Sequence, residues 1–397
     1  MIRPSAGNPH GLVPFAFAAV ALAACSGDPG PVGETAVAHY ELVEIATIGG
    51  AVDEGPDAFG RITGVAFVPG GRIAVLDDAY HEIRLFGGDG RFLSRAGREG
   101  SGPAEMRSPY GIGVAPDGAI WVRDTGNGRY VRFTVEGDSL QAGPIFAIGE
   151  GAQGPAIAPT FLPDGRVVHI GLAADAEGRR AVLTRFTLAG SGLAPAERLA
   201  VAEPSPDSIG QFAVPIGDGV TRFFYQPFAP QFLQAHADGG DWARGVGSAP
   251  TVERYDASGT LRHRVTVTPE DVPLSPTEQA RADSALVRDR RAAGRDLPFA
   301  VPATKPPLRA IHFDAAGRLW VEHNVADGAR RIADLFDPTG APQGRVSWPA
   351  PIDLRLGALG DGLIAGVARD ELDVQRVVLL RLQPSARPAP TPAPTPR

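Results

Sequence analysis

Short apolar stretches recur along most of this chain, each bounded by Gly, Pro, Asp or Ser. Their length and alternation predict β-strands rather than helices. Four segments read as a turn glycine opening a strand. They are Gly71-Arg72-Ile73-Ala74-Val75, Gly118-Ala119-Ile120-Trp121-Val122, Gly165-Arg166-Val167-Val168 and Gly317-Arg318-Leu319-Trp320-Val321. Weaker copies sit at Gly219 and at Gly362-Leu363-Ile364. A second signature, an aromatic followed three residues later by a turn glycine, ends strands at Phe86/Gly90, Phe133/Gly137, Phe186/Gly190, Tyr255/Gly259 and Phe336/Gly340. Gly71, Gly118 and Gly165 are spaced by 47 residues, as are Asp77 and Asp124. A period near this length with several strands per unit predicts a β-propeller array.

The turn glycines count six units and the aromatic turns five. The last unit ends at Leu382 without a further strand, and an orphan strand, Tyr40 to Ile48, precedes the first. Pairing the two closes the ring and hides two sheet edges. The expectation is an all-β, six-bladed β-propeller of four-stranded antiparallel blades, closed by an N-terminal strand. A seven- or eight-bladed ring with degenerate units is the alternative. One gap interrupts the period at 268–307. There Ser275-Pro276-Thr277-Glu278 is a capping box with Pro at the first helical position, and it predicts one inserted helix running to about Ala293 and stopped by Gly294. Such a helix either covers a mouth of the ring or packs against its side.

The N-terminus carries a different signal. Arg3, an apolar run from Leu12 to Ala24 and the sequence Leu22-Ala23-Ala24-Cys25 are similar to a bacterial lipoprotein signal with its lipobox. Cys25 is the only cysteine, so no intrachain disulfide can form. The expected division is a signal peptide over 1–24, a flexible tether over 25–38 behind a lipidated Cys25, the propeller over 39–383 and a disordered Pro-rich tail over 384–397. An ordinary cleaved signal or an uncleaved anchor are the competing readings. By resemblance to lipoprotein sorting, Ser26 suits the outer membrane. The expected location is therefore the cell envelope, lipid-anchored, with the periplasmic or surface side left open.

The repeat units resemble NHL-repeat-like, TolB-like six-bladed propellers. The resemblance rests on Gly71 to Gly90, on Gly118 to Gly137 with Asp124-Thr125-Gly126-Asn127-Gly128-Arg129, and on Gly97 to Met106 as a connector in which Ala104 and Met106 replace Gly and Phe. It covers about residues 39 to 383. Gly171, His323 and Ala368 stand where the first two units have Asp. Asp77 and Asp124 read as strand-closing caps that accept from N–H groups of the following loop. Trp121 and Trp320 read as packing between neighbouring blades.

Charge and motifs narrow the function. The net charge of −7 argues against a nucleic-acid binder. The chain lacks H-E-x-x-H, G-x-S-x-G, an Asp-rich calcium loop and a P-loop. The best reading is a binding or scaffolding module for a protein, peptide or glycan, with no catalytic residues and no cofactor. The alternative is a metal-dependent hydrolase or lyase. The related gluconolactonase-like propellers hold a divalent ion with Glu, Asn and Asp at the central mouth. Of three asparagines here, Asn8 lies in the signal peptide and Asn127 in a structural loop, leaving Asn324 beside His323.

The repeat places Arg61, Tyr110, Thr160 and Arg309 at the entrance of the channel. It adds His81, Asn127, Tyr225, His323 and Asn324 on loops of the same face. Arg61, Tyr110, Arg309, His323 and Asn324 are the candidate binding residues, and several arginines around one channel favour an anionic ligand. The stretch Phe223 to Phe232 holds five aromatics in ten residues. Tyr225, Phe228 and Phe232 read either as an aromatic recognition patch or as a loop packing itself onto the ring.

Overall fold

Turn glycines set the first level of structure. Gly71, Gly118, Gly165, Gly317 and Gly362 sit at φ between 73° and 83°, where a Cβ is penalised, and each ends a tight turn from which a strand departs. The computed structural model describes residues 38–50, 55–148, 158–175, 178–189, 192–200, 209–217 and 220–385. The signal peptide, Cys25, most of the Pro-rich tail, and the Gly190 and Gly219 turns lie outside the described residues.

Strand β1 (His39–Gly49) comes first. Strands β2–β5 (Ile62–Val68, Arg72–Asp77, Glu82–Phe86, Phe92–Ala96) form a four-stranded antiparallel meander, followed by a short parallel pair, β6–β7 (Arg98–Glu99, Glu105–Met106). The meander recurs in β8–β11 (Pro109–Val114, Ile120–Asp124, Arg129–Glu136, Ser139–Ala147) and β12–β15 (Thr160–Phe161, Val167–Asp175, Gly178–Ala189, Gly192–Ala200). A lone hairpin, β16–β17 (Gln211–Gly217, Val220–Tyr225), precedes the next meander, β18–β21 (Phe232–His236, Trp242–Val246, Thr251–Tyr255, Leu261–Thr266). After helix α1 (Pro276–Ala293) come β22–β25 (Leu308–Phe313, Leu319–His323, Arg331–Phe336, Pro342–Trp348) and β26–β28 (Ile352–Leu359, Leu363–Arg369, Gln375–Pro384).

Strand β1 completes the last of these sheets. It runs antiparallel to β28 from Tyr40 opposite Pro384 to Gly49 opposite Arg376, and its first residues pair in parallel with β25. Leu42 and Ile48, both 2% exposed, carry it into the cores on either side.

Consecutive sheets pack face to face. Leu76, Ile83 and Leu85 meet Ile112, Val122 and Phe133. Trp121 stacks on Phe146, with ring centroids 4.7 Å apart, and abuts Phe161 of the following sheet. Trp320 and Trp348 pack with Leu354 and Ile364. Val367 and Leu379 of the last sheet pack with Val65 and Val75 of the first. This is an all-β, propeller-like arrangement in which the last sheet returns to the first. Among the described residues no helix is long and apolar enough to cross a membrane.

Two expectations change. Asp77 and Asp124 cap more of the incoming connector than of the following loop. Asp77 accepts from the N–H groups of Gly60 and Arg61 (both 2.9 Å) and of Ala79 (3.0 Å), and Asp124 accepts from Arg107 (2.9 Å). The segment after Gly219 is also not the second strand of a meander. It is β17 of the lone hairpin, and the meander's second strand begins at Trp242, after the Gly239–Gly240 turn. Hairpin and helix form one structure: Val214 and Phe224 pack with Leu286, Leu297 and Phe299. The helix itself has the capping box at Ser275 and Glu278 and ends at Gly294 in the left-handed region.

Candidate functional site

The first strand of each meander faces a common channel. Glycine lets these strands approach one another. A Cβ at Gly64 would lie 2.7 Å from Ile112 Cγ2, and one at Gly113 would lie 2.0 Å from the Pro159 carbonyl oxygen. The channel has a volume of about 390 Å³, and its walls include Thr63, Tyr110, Thr160, Gln234, Arg309 and Arg355. That size is typical of small-molecule sites.

Arg355 reaches the channel through an irregularity in β26. Asp353 pairs with Val367 and Ala358 with Ala365, so four residues of β26 oppose one of β27. The bulge needs Gly357, because a Cβ there would lie 2.0 Å from the Ala365 carbonyl oxygen. Bulges of this kind re-aim a side chain. Arg355 donates to Asp353 at 2.6 Å from Nη2 and 3.1 Å from Nε.

A charged network lies behind this wall. Arg309 donates from Nη1 to Glu322 (2.5 Å) and from Nη2 to Asp353 (3.2 Å). Glu322 is fully buried and also faces His312 (3.4 Å) and Arg331 (3.6 Å). Burial opposes its ionisation, but the hydrogen bond from His312 and the charges of Arg309 and Arg331 outweigh that and hold its pKa below the usual carboxylate range. Asp353 behaves likewise: burial raises its pKa, and the stronger effects of Arg355 and Arg309 lower it. Both carboxylates are therefore clamped anions and weak bases.

The neighbouring wall strand, β18, packs against β22 and carries no acid or arginine. Gln234 and His236 alternate on β18 and line the channel. Their Nε2 atoms are buried without a hydrogen-bond partner among the described residues. Desolvation pulls the pKa of His236 down to about 4, which keeps the imidazole neutral near pH 7.

The sequence candidates separate. Tyr110, Thr160, Arg309 and Phe232 line the channel. The Arg61 side chain is 65% exposed and pairs with Asp78. His323 and Asn324 line a different groove, of about 820 Å³, with Tyr40 and Val272. His323 is buried there with Nε2 2.9 Å from Asp334. Asn324 Nδ2 donates to the carbonyl oxygens of Pro306 (2.7 Å) and Leu308 (3.3 Å), tying the connector to the loop. Asn127 likewise donates to Gly100 and Asp124. His81 takes positive φ, 54°, in the turn between β3 and β4.

The aromatic stretch serves several purposes. Phe223 and Tyr225 are exposed on one face of β17, while Phe224 is buried beneath the helix. Phe228 is half-buried at φ 55° in the turn after β17, and Phe232 joins the channel wall.

Sequence reasoning missed Arg355, Gln234 and His236. A signal for β18 existed: Gly240 precedes Tyr255 by fifteen residues, the spacing from Gly71 to Phe86 and from Gly118 to Phe133.

A divalent cation held by Glu, Asn and Asp does not fit this channel. Its described lining contains no carboxylate and no asparagine, and the nearest acids are already bound to arginines. Among the described residues no group of three or more His, Cys, Asp or Glu is placed to hold a metal.

No family model and no curated protein matches the chain. Among solved structures it is similar to selenomethionine-substituted virginiamycin B lyase from Staphylococcus aureus, with 12% identity over 86% of this chain and 99% of that one, at a TM-score of 0.40. It is similar to a member of the DUF4221 family from Bacteroides vulgatus, with 10% identity, 87% and 99% coverage and a TM-score of 0.45. It is also similar to PQQ-bound aldose sugar dehydrogenase from Streptomyces coelicolor, with 15% identity, 87% and 98% coverage and a TM-score of 0.43.

Proposed function

We propose that this chain is a six-bladed, NHL-repeat-like and TolB-like β-propeller that works as a binding module of the bacterial cell envelope. Lipid on Cys25 holds it at the outer membrane, and a protein, peptide or glycan partner engages the channel mouth. The six-blade count is supported by the successive four-stranded sheets and by β1 lying beside β28. The anchor is supported by the apolar run ending at the sole cysteine.

One observation carries the binding reading over a catalytic one. The acids behind the channel wall, Glu322 and Asp353, are each bound to arginine and held below the ordinary carboxylate range. Efficient general-base catalysis needs a pKa near the working pH, and these acids are shifted the other way. Tyr110, Gln234 and the exposed part of Arg355 remain for recognition.

A photo-crosslinking residue at Tyr110, compared with one at Asp89 in the β4–β5 turn, tests this in intact cells. Adducts are expected at Tyr110 and not at Asp89, with the captured molecule chemically unchanged. Equal labelling at both positions, or a captured molecule that has been cleaved, overturns the reading.

A further inference from the structure

We propose that the channel binds a carboxylate at Arg355, borne by a small monocarboxylic acid or by the C-terminus of a peptide. This rests on the binding-module reading and names the chemistry that the module recognises.

The chain carries a net charge of −7, yet the described lining of the channel includes Arg309 and Arg355 and no acid. The network behind the wall does not balance. The three arginines Arg309, Arg331 and Arg355 outnumber by one the two acids they face, Glu322 and Asp353, and His312 also contacts Glu322 without adding an acid. Arg309 spends both terminal nitrogens on those two acids. Arg355 binds Asp353 through Nε and Nη2 only, and its side chain is 47% exposed. The surplus charge is therefore presented where a ligand can reach it.

The surplus of one matches a monoanion. A carboxylate neutralises it, whereas a dianionic phosphate would leave the cluster negative and add repulsion from Asp353. A planar guanidinium edge also suits a carboxylate, whose two oxygens accept parallel donors. On β18, which packs beside β22, Gln234 and His236 line the channel with unpartnered Nε2 atoms that a polar atom of the ligand body can pair. Buried polar atoms left unpaired are costly, and a ligand that pairs them recovers that cost.

The test uses the full-length chain and ligand-observed NMR. One probe pair is benzoate against benzamide. The other is a random N-acetyl tripeptide pool with a free C-terminal carboxylate, against the same pool as C-terminal amides. Binding of the acids is expected, with the amides at least about tenfold weaker. Arg355→Gln should remove that discrimination and Arg355→Lys should keep part of it. Gln234→Leu, which leaves the ion network intact, should weaken the acids several-fold and so guards against a misfolded Arg355 variant. Preference for benzoate identifies a small acid as the source, and preference for the tripeptide pool identifies a chain terminus. Equal binding of acid and amide overturns the carboxylate and leaves the binding module standing. Absence of binding by every probe at millimolar concentration also overturns it, and the Tyr110 crosslink then decides the module separately.

Discussion

Lys305, the only lysine of the chain, places its Nζ 2.5 Å from Oε1 of Glu278 in the first turn of α1. Glu278 also accepts from the Ser275 N–H in the capping box. Burial works against its charge, but the bonds from Lys305 and Ser275 win and lower its pKa. Lys305 Nζ further donates to the Val325 carbonyl (2.9 Å), so one side chain ties helix, connector and the loop after β23 together. Lys305→Met should cost about 2–3 kcal/mol, the worth of a partly buried charged hydrogen bond. The loss should be local: hydrogen exchange over Pro276–Ala293 should accelerate while the strands keep their protection. Uniform acceleration across the sheets would show that the insertion unfolds only with the rest.

Strand β1 joins sheet edges that are otherwise open, and its two kinds of side chain should differ sharply. Leu42 is 2% exposed in a core of Trp348, Leu354 and Leu380, whereas Ile45 is 43% exposed at the β1 bulge. Leu42→Ala should cost about 2–4 kcal/mol by urea unfolding and Ile45→Ala less than about 0.5. Deleting 39–49 should abolish cooperative unfolding, because the outer edge of β28 would be left unpaired, with β27 alone on its other side. A soluble deletion with unchanged stability would refute closure by this strand.

The channel histidine gives a pH signature. Its pKa is about 4 in the fold, below the ordinary histidine value of 6.5, because burial disfavours the charged ring. Between these values the unfolded chain binds more protons than the folded one. Stability from His236 is therefore full above about pH 6.5 and lost as pH falls towards 4, on the order of 3 kcal/mol in all. His236→Gln should flatten the stability profile across that window. The acid limb below pH 4 should persist, since the depressed carboxylates Asp353 and Glu322 belong to it.

What the sequence revealed follows the strength of each local signal. The helix was legible to the residue because a capping box and a left-handed glycine are chemistry of single positions. Most of the strand–turn grammar was legible for the same reason. The hairpin β16–β17 was misread because an insertion there brought its own glycine and aromatics, which imitate a repeat unit. Tyr110 and Arg309 line the channel because they lie near the starts of inner strands of regular repeats. Arg355 was hidden by a bulge, which breaks the two-residue alternation that assigns a face. His323 and Asn324 reach a different groove because they lie at the end of β23, the second strand of its meander, whereas the channel is lined by first strands.

Asp124 separates structural from functional readings of the repeat motif. It is completely buried, and its carboxylate accepts from Arg107 N (2.9 Å), Asn127 Nδ2 (2.7 Å) and Arg129 Nε (3.0 Å). Arg129 in turn donates to the carbonyl oxygens of Ser101, Gly102 and Glu105, holding the connector that leads into β8 and Tyr110. Asp124→Ala strands a buried guanidinium and should cost about 3–5 kcal/mol; Asp124→Asn retains the shape but not the charge and should fall between. A lowered urea midpoint with an unchanged slope is the expected result. Because the connector positions Tyr110, the Asn variant should also weaken acid binding at the channel while leaving the preference for acid over amide intact. Loss of that preference with full stability would make Asp124 part of the recognition site rather than its support.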